Sequence, residues 1–185
     1  MLSKNQIRKK YSNLRKNKYF EISDKYYKPI IKLINNFSKK KKIKISFYYP
    51  SNYEVNTLVF FKMINKKKRF IPLLPQITSK NGMKFYQWNY LETLKVNKYG
   101  MLEPTNLKKP LIPNILLIPL LAFDTNKNRL GYGKGFYDKF LNKYLKKNKD
   151  ILTIGIAFSF QKYNKLPTSK YDVKLDYILT ENGLK

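Results

Sequence analysis

Cysteine and histidine are both missing from the 185 residues of this chain. Without thiols there is no disulfide, no thiolate nucleophile and no thiolate metal ligand. Without imidazole the commonest metal ligand and the usual near-neutral general base are gone. Catalysis is left to carboxylates, Lys, Arg, Tyr, backbone amides or a cation held by oxygen, and such a ligand set suits a hard ion such as Mg²⁺. Acids are scarce as well, with 11 Asp+Glu against 39 Lys+Arg. No apolar run approaches the ~20 residues that a membrane-spanning helix needs. The opening MLSKNQIRKK has charges where a signal peptide requires apolar residues, so a cytoplasmic location is expected.

What is present in excess is positive charge, a formal +28. An imbalance of that size raises nucleic acid as a partner. The distribution opposes that reading, because lysine is spread over nearly every segment, far outnumbers arginine and is accompanied by abundant Asn, Ile and Tyr. A charge not gathered into one tract marks a compositional bias of the surface. A small anionic substrate would profit from the same field. Hydrophobic residues make up 43% of the chain, enough for one domain, 1–185, with a real core.

Ser3 and Gln6 have the form of a capping box, and Ile7, Tyr11 and Leu14 recur at helical spacing, which predicts an amphipathic helix over 3–17 with Lys4 and Arg8 on one face. A second helix is predicted after Ser23, with Tyr27, Ile30, Ile31, Ile34 and Phe37 on its apolar side and Pro29 in its first turns. A basic link, Lys39 to Lys42, leads to a strand at 43–49. Helical spacing resumes from Glu54 to Ile64, and Arg69 to Pro72 reads as a short strand. Between Pro75 and Pro113 the pattern is irregular, with a strand at 83–88 that includes the sole Trp88, and this part is expected to form an edge or lid. The apolar run Ile115 to Leu121 has the character of a strand buried on both faces, followed by a glycine loop and a helix over 134–147. Strands follow at 151–158 and 176–180. Strands alternating with helices predict an α/β domain of three layers, a mainly parallel, mixed sheet with helices on both faces.

The segment AFDTNKNRLGYGKGFYDKFL, Ala122 to Leu141, carries the chemistry. Gly131, Gly133 and Gly135 allow close backbone approach to a ligand, and the helix that follows offers unpaired N–H groups and a positive dipole end to phosphate. Arg129 and Lys134 add charge at the same place. The spacing matches neither G-x-x-x-x-G-K-[ST] nor G-x-G-x-x-G. A tight connection without function is the alternative reading of such a loop.

The run NRLGYGKGFYD closely resembles the Arg-Leu-Gly-x-Gly-x-Gly-Tyr-Tyr-Asp signature of the 5-formyltetrahydrofolate cyclo-ligase family. The preceding IPLLAFD, the Lys4 and Arg8 pair, Glu103-Pro104 and the closing LPTSKYDVKLDYILTENG resemble further elements of that family in the same order. Phe136 and Tyr171 depart from it, standing where the family usually has Tyr and often has His.

The resemblance implies an enzyme that converts 5-formyltetrahydrofolate to 5,10-methenyltetrahydrofolate with ATP and Mg²⁺, releasing ADP and phosphate. It implies that Lys4 and Arg8 bind ATP phosphates and that Arg129, Leu130, Gly131, Tyr132, Gly133, Lys134, Gly135, Phe136 and Tyr137 wrap the triphosphate. Arg129, Lys134 and Tyr137 are the implied catalytic residues. Asp138 and Asp172 are the implied Mg²⁺ ligands, directly or through water. Glu54 would hydrogen-bond the pterin ring, with Tyr49 lining its pocket and Tyr99 stacked on it. A site without histidine suits this chemistry, which needs alignment and charge neutralisation on a phosphoryl group. A basic protein would also tolerate polyglutamylated folate, and a monomer is expected. Asp124 and Asp176 read as turn residues. A nucleic-acid-binding protein and a catalytically inactive ATP-binding relative are the alternatives, and both implied Mg²⁺ carboxylates are retained, against the second.

Overall fold

Ser3 and Gln6 do form a capping box, with Gln6 N–H donating to Ser3 Oγ at 3.3 Å and Ser3 N–H to Gln6 Oε1 at 2.8 Å. They start α1 (Lys4–Lys18). The computed structural model describes residues 2–37, 42–78, 82–145 and 151–185, so most of the basic link after residue 37 and the end of the helix expected to reach residue 147 lie outside the described residues.

A 3-10 turn, Asp24–Tyr27, intervenes before α2 (Lys28–Phe37), where Pro29 sits at a position whose missing N–H removes no intrahelical bond. The strand β1 (Ile43–Ser46) is followed by α3 (Thr57–Asn65), which starts three residues later than the spacing predicts. Asn52 and Tyr53 take positive φ, 48° and 61°, and make a turn, and Asn56 caps the helix by accepting from Leu58 N–H at 3.1 Å. β2 (Phe70–Ile77) is eight residues long and runs through Pro72 and Pro75. It is followed by β3 (Met83–Gln87), β4 (Leu94–Val96) and β5 (Leu102–Pro104). Then come β6 (Ile115–Pro119), β7 (Ala122–Phe123), β8 (Arg129–Leu130) and α4 (Phe136–Tyr144). The chain closes with β9 (Leu152–Ile156), β10 (Tyr177–Thr180) and β11 (Gly183–Leu184).

Seven strands form one sheet in the order β11-β10-β9-β6-β1-β2-β3. The pairs from β10 to β2 are parallel, and only the edge strands β11 and β3 run antiparallel. This is the mixed, mainly parallel α/β sheet that the alternation of elements predicts. The hairpins β4–β5 and β7–β8 stand apart from it.

The strand period of two sorts the core into two layers. Ile43, Ile45, Ile115, Leu117, Ile154 and Ile156 meet Ile30 and Ile34 of α2 and Phe60, Phe61 and Ile64 of α3. On the other face Leu73, Leu116, Ile118 and Ile178 meet Phe136, Phe140 and Leu141 of α4. Trp88 belongs to the first layer, buried, with Nε1–H donating to Glu92 O at 3.1 Å. A third cluster packs Ile7 and Tyr11 of α1 against Leu121, Ala122, Leu130 and Leu166. It brings the N-terminus of the chain to the end of the sheet where β6 finishes.

Candidate active site

In an open α/β sheet, ligands bind beyond the carboxyl ends of the parallel strands. A cavity of about 480 Å³ lies there, bounded by Tyr48 and Tyr49 after β1, Ile77 at the end of β2 and Pro119 at the end of β6. The glycine loop, the N-terminal part of α1, the turn holding Ser51 to Glu54, the β4–β5 hairpin and the loop of Asp172 supply the remaining walls. Every implied site residue lines it: Lys4, Arg8, Tyr49, Glu54, Tyr99, the segment Arg129 to Asp138, and Asp172. The chain separates these residues widely, and they come together from α1, the turn after β1, the β4–β5 hairpin, the glycine loop with α4, and the loop before β10.

The β7–β8 hairpin aims the loop. Buried Asp124 accepts from Asn126 N–H at 2.9 Å, Asn128 N–H at 3.0 Å and Leu166 N–H at 3.2 Å, consistent with its reading as a turn residue. Gly135 adopts φ 69° at the N-cap of α4, so the helix opens directly onto the cavity, its positive end toward any anion bound there. Gly133 is at φ 91°, and a Cβ there would stand 3.1 Å from Arg8 Cζ. Leu130 and Phe136, although they line the cavity, are buried and pack into the core clusters.

Four cations and four carboxylates share the lining: Lys4, Arg8, Arg129 and Lys134 with Glu54, Glu103, Asp138 and Asp172. The Arg129 side chain is buried, and its Nη2 reaches Asp138 Oδ1 at 2.6 Å while its Nη1 donates to Val173 O at 2.6 Å. Burial lowers the proton affinity of this guanidinium, and Asp138 opposes that. Lys4 Nζ lies 2.5 Å from Asp172 Oδ2. Burial alone would raise the Asp172 carboxyl, but hydrogen bonds from Lys4 and Ser169 bring it below the usual range. Arg8 Nε donates to Gly131 O at 2.9 Å, and Lys134 Nζ stands 5.5 Å from the centre of the Tyr99 ring. Among the described residues Arg8 and Lys134 make no ion pair, so their charge is available to a ligand.

At the opposite wall the Tyr132 hydroxyl donates to Glu54 Oε1, and Ser51 N–H donates to Glu54 Oε2 at 2.9 Å. Burial pushes the Glu54 carboxyl up, with Tyr132, Arg15 and Ser51 pulling it back. Desolvation and Glu54 push the Tyr132 phenol well up. Tyr137 is raised by burial first and Glu54 second, so its hydroxyl is neutral at ordinary pH. The Tyr99 ring lies 5.4 Å from that of Phe136, and Tyr49 is half-buried on the wall.

Asp138 and Asp172 line the same cavity as Arg8 and Lys134, and their chemistry is compatible with Mg²⁺, which characteristically takes one or two carboxylates plus phosphate oxygens. No group of three or more acidic side chains that could hold a metal by themselves occurs among the described residues.

Two buried residues near the site are absent from the sequence reading's assignments. Arg15 is 1% exposed, with its guanidinium carbon 5.5 Å from the Tyr132 ring centre and, among the described residues, no hydrogen-bond partner within bonding geometry for Nε or Nη2. Its signal is position, since Ile7, Tyr11 and Arg15 repeat every four residues along one stripe of α1. Glu103, which the resemblance includes only as part of Glu-Pro, is buried in the cavity wall.

The profile of the 5-formyltetrahydrofolate cyclo-ligase family matches residues 1–181. The chain belongs to this family. A 5-formyltetrahydrofolate cyclo-ligase of Haemophilus influenzae is 31% identical over 152 residues, covering 79% of this chain and 80% of that protein. The NMR structure of a 5,10-methenyltetrahydrofolate synthetase from Aquifex aeolicus superposes with a TM-score of 0.72 at 28% identity, covering 100% of this chain and 92% of that one. A synthetase of the same name from Mycoplasma pneumoniae gives a TM-score of 0.65 at 28% identity, covering 96% and 98%. The enzyme class implied by the glycine-loop signature is therefore the class of its relatives, and the three-layer fold is theirs as well. Among the described residues no helix is long and apolar enough to cross a membrane.

Proposed function

We propose that this chain closes 5-formyltetrahydrofolate to 5,10-methenyltetrahydrofolate with ATP and Mg²⁺, releasing ADP and phosphate. The observation that carries the reading is a cavity in which the glycine loop, Arg8 and Lys134, without an ion pair among the described residues, and two ion-paired aspartates are brought together with Glu54 and Tyr99.

In this reading the triphosphate lies along Gly131 to Gly135, with its γ-phosphate toward Arg8, Lys134 and the N-terminus of α4. Asp138 and Asp172 would hold Mg²⁺, which would supply neutralisation of phosphate charge when bound. Arg129, locked by Val173 O and Asp138, orients the Asp138 carboxylate. The folate ring sits against Tyr49 and Tyr99 and is hydrogen-bonded by Glu54. The formyl oxygen attacks the γ-phosphorus and ADP departs, leaving a phosphorylated imidate. N10 then adds to the formyl carbon and loses its proton, and phosphate leaves to give the conjugated N5–C–N10 cation. No step requires a histidine base, because alignment and charge stabilisation carry the barrier reduction. Tyr137, neutral and facing the cavity, serves as a hydrogen-bond donor. Asp138 and Asp172 both stand at the cavity, which favours an active enzyme over an inactive ATP-binding relative.

The test is the absorbance of methenyltetrahydrofolate formed from 5-formyltetrahydrofolate, with ATP and Mg²⁺ each omitted in turn. Product is expected only with all three present. Folded protein that forms none under any combination overturns the reading.

A further inference from the structure

Glu103 is 5% exposed and lines the cavity, and among the described residues only one of its two carboxylate oxygens accepts a hydrogen bond. Oε1 accepts from Ile77 N–H of β2 at 2.7 Å and from Asn97 Nδ2 at 2.7 Å. Asn97 Oδ1 in turn accepts from Tyr99 N–H at 2.8 Å and Met101 N–H at 3.1 Å. This chain of bonds fastens the β4–β5 hairpin to β2 and sets Tyr99 and Met101 at the cavity.

A neutral amide oxygen could accept both bonds to Oε1. The anchor therefore does not explain a carboxylate, whose burial is costly unless its acceptors are satisfied. Oε2 takes no hydrogen bond among the described residues. The nearby lining includes Ile77, Met83 and Met101, an apolar setting in which a charge-assisted hydrogen bond is strengthened.

We infer that Glu103 is a second substrate-binding carboxylate, whose Oε2 accepts a hydrogen bond from an N–H donor on the edge of the folate ring. The inference rests on the folate reading of the cavity. Glu54 and Glu103 then read the donor edge of one planar heterocycle, while Tyr99, Met83 and Met101 cover its apolar surface. Glu103 thus has two duties, one oxygen for the hairpin and one for the ligand.

Glu103→Gln separates them, because its amide oxygen can keep the bonds to Ile77 and Asn97 while its NH₂ confronts the donor of the substrate. Relative to wild type, the expected result is a Kd and a KM for 5-formyltetrahydrofolate raised about 10- to 100-fold, with KM for ATP and Tm little moved. Glu103→Ala should lose the folate affinity and lower Tm as well. Wild-type folate affinity in Glu103→Gln overturns the inference and leaves Glu103 as a hairpin anchor alone. If that variant does not fold, the crystal structure of the wild-type protein with 5-formyltetrahydrofolate decides: Oε2 within hydrogen-bond distance of a ring nitrogen supports the inference, and Oε2 facing only water overturns it. Wild-type protein that neither binds nor turns over the folate is a separate failure, that of the proposed function.

Discussion

The Tyr132 hydroxyl donates to Glu54 Oε1, and through that bond the glycine loop grips the turn that follows β1. The two walls expected to hold different substrates are thus joined by one proton. Four titratable groups surround the Glu54 carboxyl: Tyr132 from the loop, Arg15 from α1, Tyr48 from the segment after β1, and Tyr137 from α4.

The raised carboxyl of Glu54 makes a pH-dependent prediction. Its folded-state affinity for a proton exceeds the ordinary value of 4.5, so between those two values the native state binds more proton than the unfolded chain. The contribution of Glu54 to stability therefore falls as pH rises through that window, and above it the buried carboxylate is a net penalty. Glu54→Gln should melt a few degrees higher than wild type at pH 8, with the gap closing as pH approaches 4.5, while folate turnover is lost. Calorimetry at a series of pH values checks this, and a gap that does not change with pH would show that the carboxylate is not penalised by burial. In denaturant titrations, Tyr132→Phe and Glu54→Gln should couple by about 1–3 kcal/mol in a double-mutant cycle.

Asp138 combines a proposed metal-binding duty with a structural one, since it holds buried Arg129 and also accepts from Val173 N–H at 3.2 Å. Asp138→Ala should destabilise by about 1–3 kcal/mol, because a buried guanidinium loses its partner. Asp138→Asn keeps an acceptor for both donors, so it should stay near wild-type Tm and still lose about 100-fold or more in kcat. Asp138→Asn with wild-type turnover in Mg²⁺ would remove Asp138 from the metal-binding role.

The glycine loop is legible in the sequence because its demand on the backbone is local: positive φ and close approach require Gly133 and Gly135 whatever the rest of the chain does. The buried strands β6 and β9 are legible for a similar reason, as continuous apolar runs. Residues whose meaning is tertiary escape. β2 extends past Pro72 and Pro75, which argue against an interior strand, because β1 pairs with its first half and β3 with its second. The strands β7 and β8 have two residues each, too short for any period, and Asp124 makes the hairpin. Arg15 looks like one more exposed cation in a lysine-rich helix until α1 is packed on the site. Glu103 belongs to the Glu-Pro element of the resemblance, which assigns it no role, and the partners that show how it is held, Ile77 and Asn97, come from β2 and the hairpin turn.

Two neighbouring glycines separate strain from ligand approach. Gly133 is at φ 91°, and its Cβ would meet Arg8 Cζ at 3.1 Å, whereas a Cβ on Gly131 meets nothing within 4 Å and needs no positive φ. Gly133→Ala should therefore lose about 1–3 kcal/mol through backbone strain and displace the Arg8 guanidinium, raising KM for ATP. Gly131→Ala should leave Tm unchanged. Any rise in KM for ATP in that variant then reports a ligand atom where the added methyl stands, because no protein atom competes for the space. If the triphosphate runs along this loop, both substitutions weaken ATP binding but only the first weakens the fold. If Gly131→Ala binds ATP as wild type does, the phosphates lie nearer α4 and Lys134 than Gly131, and the loop serves to position Arg8 through the bond to Gly131 O.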